Sequence, residues 1–158
     1  QAGIDKGWED KNSFENWQFQ DAEETPGDPI NRISVNFSGP LYNLEYRYLE
    51  KENCYQRYLA NQLHKDSEGK KIKPQNVIIQ IVDQSLSSDN QHMVMNPIGS
   101  GQAYLFRDGQ IFKGEWQKRR LEDRTKFYLT SGDQFKFTRG QSWVHILPSI
   151  ESFSYQRK

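Results

Sequence analysis

Large apolar and polar side chains alternate along residues 32–37 (RISVNF) and, after a turn at Gly39 and Pro40, along residues 42–48 (YNLEYRY). Side chains on a β-strand point in turn to the two faces of the sheet, so strict alternation predicts a strand with one buried and one solvated face. The two segments therefore predict neighbouring half-buried strands, and they set the expected class of the whole fold.

Short segments with strand character continue beyond these two. The most apolar stretch, residues 76–82 (NVIIQIV), is rich in β-branched residues and predicts the central strand of the sheet. Asp108 and Gly109 separate two apolar runs, as in a type I′ hairpin. Altogether about nine or ten short strands follow at ~8–12-residue spacing. We expect a mostly β fold, an antiparallel sandwich or partly closed barrel with little helix.

The pattern also predicts three local features. Residues 99–101 (GSG) are expected to form a tight turn. His145 lies in the alternating segment 143–147 (WVHIL), and we expect its imidazole on the outward face of the sheet. The polar residues 149–158 are expected to fray at the end of the chain.

Composition divides the chain into three segments. Residues 1–31 are polar and contain an acidic stretch with two prolines at residues 21–29, which predicts a linker or a surface loop. Residues 32–148 carry the alternating pattern and predict one β-rich domain of ordinary size. Residues 149–158 form a polar tail.

Charge and cysteine content exclude several classes of protein. Lys plus Arg and Asp plus Glu number 21 each, whereas nucleic-acid-binding domains are usually basic, so no nucleic-acid partner is expected. Cys54 is the single cysteine, so the chain forms no intramolecular disulfide. No apolar run approaches the ~18–20 residues of a spanning helix. No cofactor is expected, and no metal is assigned, because His64 and Asp66 have the spacing of a metal-binding pair but no third ligand can be named from the sequence.

The candidate ligand-binding residues are Tyr55, Arg57, His64 and Asp66. Tyr55 and Arg57 are two residues apart in a predicted strand, so their side chains share a face. The loop after this strand can fold back and bring His64 and Asp66 over that face, gathering a cation, an imidazole and a carboxylate. Such a cluster predicts charge-assisted hydrogen bonds to an anionic or hydroxylated ligand. The alternative interpretation is an ordinary surface ion pair.

Seven short motifs follow one another along the chain. They are residues 55–58 (YQRY), 64–66 (HKD, followed by Gly69), 74–80 (PQNVIIQ), 98–103 (IGSGQA), 106–109 (FRDG), 114–118 (GEWQK) and 140–148 (GQSWVHILP). In their order and spacing they resemble the carboxy-terminal domain of the YerB-like bacterial lipoproteins, a family of unknown function. The resemblance runs from Ile33 to Pro148, which is most of the chain.

The resemblance implies a location and a domain context. It implies an extracytoplasmic protein, lipid-anchored on the outer face of the cytoplasmic membrane, with the anchor outside this fragment and an α/β domain upstream. Residues 1–31 would then be the tail of that upstream domain plus its acidic, proline-containing linker. The membrane is contacted only through that anchor. The family has no established activity, so the resemblance assigns no catalytic residue.

Three functional hypotheses follow. The first is an uncharacterised envelope protein that works as a ligand-binding or protein-interaction module, with a cell-wall component or an envelope protein as partner. The alternative is an enzyme domain that acts on cell-wall material through Arg57, His64 and Asp66. The third is a purely structural partner of the upstream domain. An enzyme needs these side chains to converge in a pocket around a histidine with a perturbed pKa, whereas a binding module needs an exposed aromatic or polar face.

Overall fold

The structure is a computed structural model that describes residues 15–24, 29–89 and 92–158. Its strands are β1 (Gln18–Gln20), β2 (Ile30–Val35), β3 (Leu44–Leu49), β4 (Cys54–Leu59), β5 (Gln62–Leu63), β6 (Asn76–Ile81), β7 (Gln84–Leu86), β8 (Met93–Met95), β9 (Gly99–Arg107), β10 (Gln110–Lys118), β11 (Lys126–Leu129), β12 (Lys136–Thr138), β13 (Ser142–Leu147) and β14 (Phe153–Arg157). Short 3-10 helices cover Pro40–Tyr42, Glu50–Glu52 and Ile150–Ser152.

Two five-stranded sheets form a sandwich. The first has the strand order β11-β10-β9-β6-β13, and the second has the order β14-β2-β3-β4-β5. Most neighbouring strands are antiparallel, while β13 runs parallel to β6. The sheets do not close into a barrel. The predicted mostly β fold, in its sandwich form, is therefore confirmed.

The main core lies between the two sheets and takes alternate residues from both. Its buried side chains are Ile30, Ile33, Val35, Leu44, Tyr46, Tyr55, Val77, Ile79, Tyr104, Phe106, Leu147 and Phe153. The alternation of residues 32–37 and 42–48 thus marks the buried faces of β2 and β3 through most of their length. Beyond the strand ends the pattern no longer predicts burial, since Phe37 and Tyr42 are 46% and 62% exposed.

β6 is the central strand predicted from residues 76–82. It lies inside the first sheet, between β9 and β13. Val77 and Ile79 face the main core, Ile78 belongs to a second cluster on the opposite face, and all three are fully buried. Because both faces of this strand are covered, the segment has no polar alternation. The prediction is confirmed, with the strand ending at Ile81.

A second apolar layer covers the outer face of the first sheet. Its buried side chains are Ile78, Val82, Ala103, Leu105, Trp116, Phe127, Phe135 and Phe137. β1 runs parallel to β12, and the Trp17 ring stacks 4.7 Å from the ring of Phe137. Residues 15–20 therefore pack against this domain. Residues 1–14 and 25–28, which hold the rest of the predicted tail and part of the predicted linker, lie outside the described residues.

The turn between β9 and β10 has the geometry predicted from its sequence. Asp108 and Gly109 have φ values of 50° and 67°, and the two strands pair from Arg107 and Gln110 outward. Two consecutive positive φ values are typical of a type I′ turn, and glycine takes the second without steric cost. The predicted two-residue hairpin is confirmed.

Two local predictions were wrong. Residues 99–101 do not form a tight turn, because they begin β9, where Gly101 pairs with Trp116 of β10. The chain end does not fray, because β14 pairs with β2 at the edge of the second sheet. Phe153 anchors that strand by packing its ring 5.0 Å from the ring of Tyr104 in the opposite sheet. The polar composition of residues 149–158 does not reveal such a contact.

Candidate functional site

Arg57 lies on β4 with its side chain turned toward the inside of the sandwich. It is 6% exposed, and Tyr55, two residues earlier on the same strand, is fully buried in the main core. This spacing places both side chains on one face of the strand, as predicted. The guanidinium therefore lies at the border of the core rather than on the surface.

Aromatic side chains from both sheets surround the guanidinium. The Trp143 ring of β13 lies 4.2 Å from the Arg57 Cζ, and the Tyr46 ring of β3 lies 6.0 Å from it. Arg57 Nε donates a hydrogen bond of 3.1 Å to the Tyr46 hydroxyl. Stacking on a ring and one hydrogen bond hold the side chain in place without neutralising its charge.

Within the described ranges the charge of Arg57 has no acidic partner. Its Nη1 is buried without a hydrogen bond, and its one bonded nitrogen reaches a neutral hydroxyl. A buried charge is costly when it is not paired. An anion that enters from solvent and pairs with Arg57 would offset that cost.

A groove of 390 Å³ opens beside the guanidinium. Its lining residues are Phe37, Ser38, Tyr42, Leu44, Arg57 and Leu59. Phe37 and Tyr42 owe their exposure to this position on the rim, between β2 and β3. The groove thus combines apolar walls with one cation, which suits a ligand that joins an apolar part to an anionic group.

His145 faces inward, which corrects the prediction of an outward imidazole. It is 5% exposed, and its Nε2 lies 2.7 Å from the Tyr46 hydroxyl. Because Arg57 donates to the hydroxyl oxygen, the hydroxyl proton is available to His145 Nε2, which accepts it. Burial, together with the charge of Arg57, lowers the pKa of His145 to about 4. Burial raises the pKa of Tyr46 to about 12, so both side chains are uncharged at neutral pH.

Tyr55 and His64, two of the other predicted site residues, both lie close to Arg57 along the chain or across the sheet. The ring of Tyr55 packs 5.1 Å from the ring of Tyr48, and burial raises its pKa well above the usual value. The backbone N–H of His64, directly after β5, donates to the Arg57 carbonyl at 3.0 Å, so His64 lies beside Arg57 of β4. His64 Nδ1 is buried and makes no hydrogen bond to a described residue.

Asp66 stabilises its own turn. Its Oδ1 accepts hydrogen bonds from the backbone N–H groups of Glu68 and Lys70, both at 2.9 Å, and the residue is exposed. Such bonds are the ordinary use of an aspartate in a turn. The backbone therefore brings His64 beside Arg57, while the carboxylate of Asp66 is already bonded elsewhere. Ligand binding by Tyr55, Arg57, His64 and Asp66 stays a prediction.

Sequence reasoning missed Tyr46, Trp143 and His145 as parts of this cluster. Tyr46 and His145 are 99 residues apart in the chain, and the two sheets bring them together. The one local signal is the period-two spacing of Trp143 and His145 on β13. That signal was ambiguous, because the intervening residues of the strand are also apolar.

Protonation of His145 is expected to destabilise the fold in acid. The unfolded imidazole titrates near pH 6.5 and the folded one near pH 4, so the unfolded state binds a proton first as the pH falls. The contribution of neutral His145 to the free energy of unfolding is therefore fully present above about pH 6.5. It is lost as the pH falls toward 4, by up to about 3 kcal/mol for a pKa shift of this size. Urea unfolding at several pH values measures the loss.

A His145→Gln variant isolates this contribution from that of the carboxylates. It is expected to lose less stability than the wild type between pH 7 and pH 4, whereas His92→Gln, at an exposed position, is expected to follow the wild type. Equal pH dependence in wild type and His145→Gln would contradict the buried, neutral imidazole.

The other described positions offer little further chemistry. Among these residues no group of three or more His, Cys, Asp or Glu side chains could hold a metal ion. The described part of the chain also has no helix long and apolar enough to cross a membrane. Cys54 is free and buried, and burial raises the pKa of its thiol, which keeps it protonated and poorly nucleophilic.

Comparisons with known proteins agree with this fold. The family model described as "Protein of unknown function (DUF3048) C-terminal domain" matches residues 33–144. The crystal structure of the YerB protein from Bacillus subtilis is similar, with a TM-score of 0.76 and 21% sequence identity over 98% of this chain and 51% of that chain. This chain thus spans about half the length of that protein. No curated protein matches the sequence.

Proposed function

We propose that this chain, which belongs to the family described as "Protein of unknown function (DUF3048) C-terminal domain", is a binding module that holds an anionic ligand at Arg57. Membership of the family confirms the resemblance found in the sequence motifs, and it brings no activity with it. One observation supports the proposal above the others. A buried guanidinium, without an acidic partner in the described residues, adjoins an open apolar groove.

The chemistry of arginine defines the ligand. Its guanidinium presents N–H donors in a planar fork that matches a carboxylate or a phosphate. Nε is bonded to Tyr46, which leaves the Nη atoms for the anion. An apolar part of the same ligand would pack against Leu44 and Leu59 on the groove wall. We therefore propose a ligand that carries a carboxylate or phosphate next to an apolar chain or ring.

The proposed place of the module is the bacterial envelope, on the outer face of the cytoplasmic membrane, with a lipid anchor elsewhere in the protein. The support for this location is the resemblance of the sequence motifs to YerB-like lipoproteins. The proposed partners are an upstream α/β domain and an anionic cell-wall component or envelope protein. Protease accessibility of the full-length protein on intact cells tests the location.

The alternative, an enzyme using Arg57, His64 and Asp66, has less support. The carboxylate of Asp66 is bonded within its own turn and would have to leave it. His145 and Tyr46, with pKa values of about 4 and about 12, do not titrate near neutral pH, where a general acid or base works best. Binding needs only the charge and the groove.

Replacing Arg57 with methionine tests the proposed function. We expect octanoate or octyl phosphate to bind the wild type and to bind Arg57→Met about tenfold to a hundredfold more weakly, because a hydrogen-bonded charge contact is lost. The two probes also distinguish a carboxylate ligand from a phosphate ligand. Calorimetry measures the affinity, and urea unfolding is expected to show equal or higher stability for Arg57→Met, since an apolar chain replaces an unpaired buried charge.

Arg47→Met is the matched control. Arg47 lies on the adjacent strand, is exposed, and pairs with Glu45. This variant is expected to bind both probes as the wild type does, and neutral 1-octanol is expected to bind all three proteins weakly and equally. Unchanged affinity of Arg57→Met for both anions would refute the site.

A further inference from the structure

A second cleft, on the opposite face of the first sheet, has a different chemistry. It measures 510 Å³ and lies between the β1–β12 ribbon and the outer face of β9 and β10. The ribbon contributes Gln18, Gln20 and Lys136, and the sheet contributes Leu105, Arg107 and Phe112. We call this the ribbon cleft. Its volume is in the range of small-molecule sites.

The apolar face of the ribbon packs on the domain and orients its polar face. Trp17 and Phe19 alternate with the two glutamines, and both rings pack on Phe137, at 4.7 Å and 6.0 Å. Trp17 Nε1 also donates a hydrogen bond of 2.8 Å to the Thr125 carbonyl. Because side chains alternate along a strand, this packing turns Gln18 and Gln20 toward the cleft.

The charges of the ribbon cleft balance. Arg107 is 6% exposed and donates to the buried Asp108 at 2.6 Å and to Glu23 at 3.3 Å, so its charge is already compensated. Lys136 and Asp133, both on the cleft lining, carry opposite charges. Lys136 is solvent-exposed, so the cleft lacks the buried, uncompensated cation that characterises the Arg57 groove.

Donors, acceptors and an apolar floor meet in the ribbon cleft. Gln18 Nε2 donates one hydrogen bond of 3.3 Å to Gln134 on the same lining. The second N–H and the carbonyl of Gln18, together with the amide of Gln20, match hydroxyl groups of a neutral ligand. Arg107 Nε is buried and makes no hydrogen bond to a described residue, so it is a further donor without a partner at the cleft wall. Leu105 is only 1% exposed, and the Arg107 guanidinium lies 4.5 Å from the Phe112 ring centroid. The apolar surface for the C–H face of a sugar ring therefore comes from the half-buried side chains of Phe112 and Leu129 on the cleft lining.

We propose that the ribbon cleft binds a neutral, polyhydroxylated ligand of the saccharide class, through the amides of Gln18 and Gln20. This site is independent of the anion site at Arg57. The two sites lie on opposite faces of the first sheet, and they select ligands of opposite character, one charged and one neutral.

Titration with chitotetraose and with maltotetraose tests this proposal. The preferred saccharide is added to the 158-residue protein in steps up to about 10 mM. The backbone amide chemical shifts of residues 18–20 and 134–136 are expected to change and to reach saturation within this range. The Gln18→Ala/Gln20→Ala double variant is expected to bind the preferred saccharide about tenfold more weakly, from the loss of its hydrogen bonds. Arg57→Met is expected to bind it as the wild type does, which separates this site from the proposed function.

The matched control is Gln62→Ala/Gln84→Ala, which removes two exposed glutamines from β5 and β7. Its saccharide affinity is expected to equal that of the wild type. The proposal is overturned if neither saccharide shifts residues 18–20, if the shifts lie on another face, or if both double variants bind equally. Far-UV circular dichroism of each variant confirms that the fold is retained.

Discussion

Ile79→Ala is expected to lower the free energy of unfolding by about 2–5 kcal/mol, as truncation of a fully buried aliphatic side chain does. Ile79 has no exposed surface and faces the main core from β6. β6 is hydrogen-bonded to β9 on one side and to β13 on the other. The backbone cannot move in to fill the cavity, so both the lost contacts and the cavity contribute. Urea unfolding followed by circular dichroism measures the effect.

Ile146→Ala is the matched control, with the same chemical change on a strand of the same sheet. Ile146 lies on the edge strand β13 and is 40% exposed. This variant is expected to lose less than about 1 kcal/mol, because little apolar surface returns to water. A loss below about 1 kcal/mol for Ile79→Ala itself would contradict its central position in the core.

Gly114→Ala is expected to cost about 3 kcal/mol or more, because the new methyl group has no space. Gly114 lies on β10, opposite Leu129 of β11. A Cβ atom there would overlap the carbonyl oxygen of Tyr128 and would lie 2.8 Å from its carbonyl carbon and 3.0 Å from the Leu129 Cα. These are backbone atoms, so β11 would have to move away. Urea unfolding and amide exchange of residues 126–129 measure the destabilisation.

Gly39→Ala provides the comparison. Gly39 has an extended backbone with φ of −177°, and a Cβ atom at this position would have no described atom within 4 Å beyond its chain neighbours. This variant is expected to change stability by no more than about 0.5 kcal/mol. If Gly114→Ala is as stable as Gly39→Ala, then β10 and β11 are not packed as closely as the structure shows.

Local sequence patterns predict much of the fold. The period-two alternation of residues 32–37 and 42–48 predicts β2 and β3, because pleating alone sends neighbouring side chains to opposite faces. Asp108 and Gly109 predict their turn because few residue pairs accept two positive φ values. In these cases the structure depends on backbone geometry and steric preference within a few residues, so the local sequence is enough to predict it.

The error at His145 arose because its burial depends on a distant strand. Alternation on β13 divides its side chains into two sets, Trp143, His145 and Leu147 on one face and Val144 and Ile146 on the other. Both sets look apolar, so the pattern does not say which one faces the core. The second sheet decides this by supplying Tyr46 and Arg57 as polar partners for His145 and Trp143.

Four features could be predicted from the residues alone: the mostly β class, the central strand, the type I′ hairpin and the shared face of Tyr55 and Arg57. They follow from side-chain periodicity and backbone preference, which are local. The packing of the two sheets was needed to show that Arg57 is buried beside Trp143, that His145 is neutral and inward, and that the end of the chain is a strand. Each of these depends on which surfaces the sheets present to one another, because the burial of a polar group is settled by partners far away in the chain.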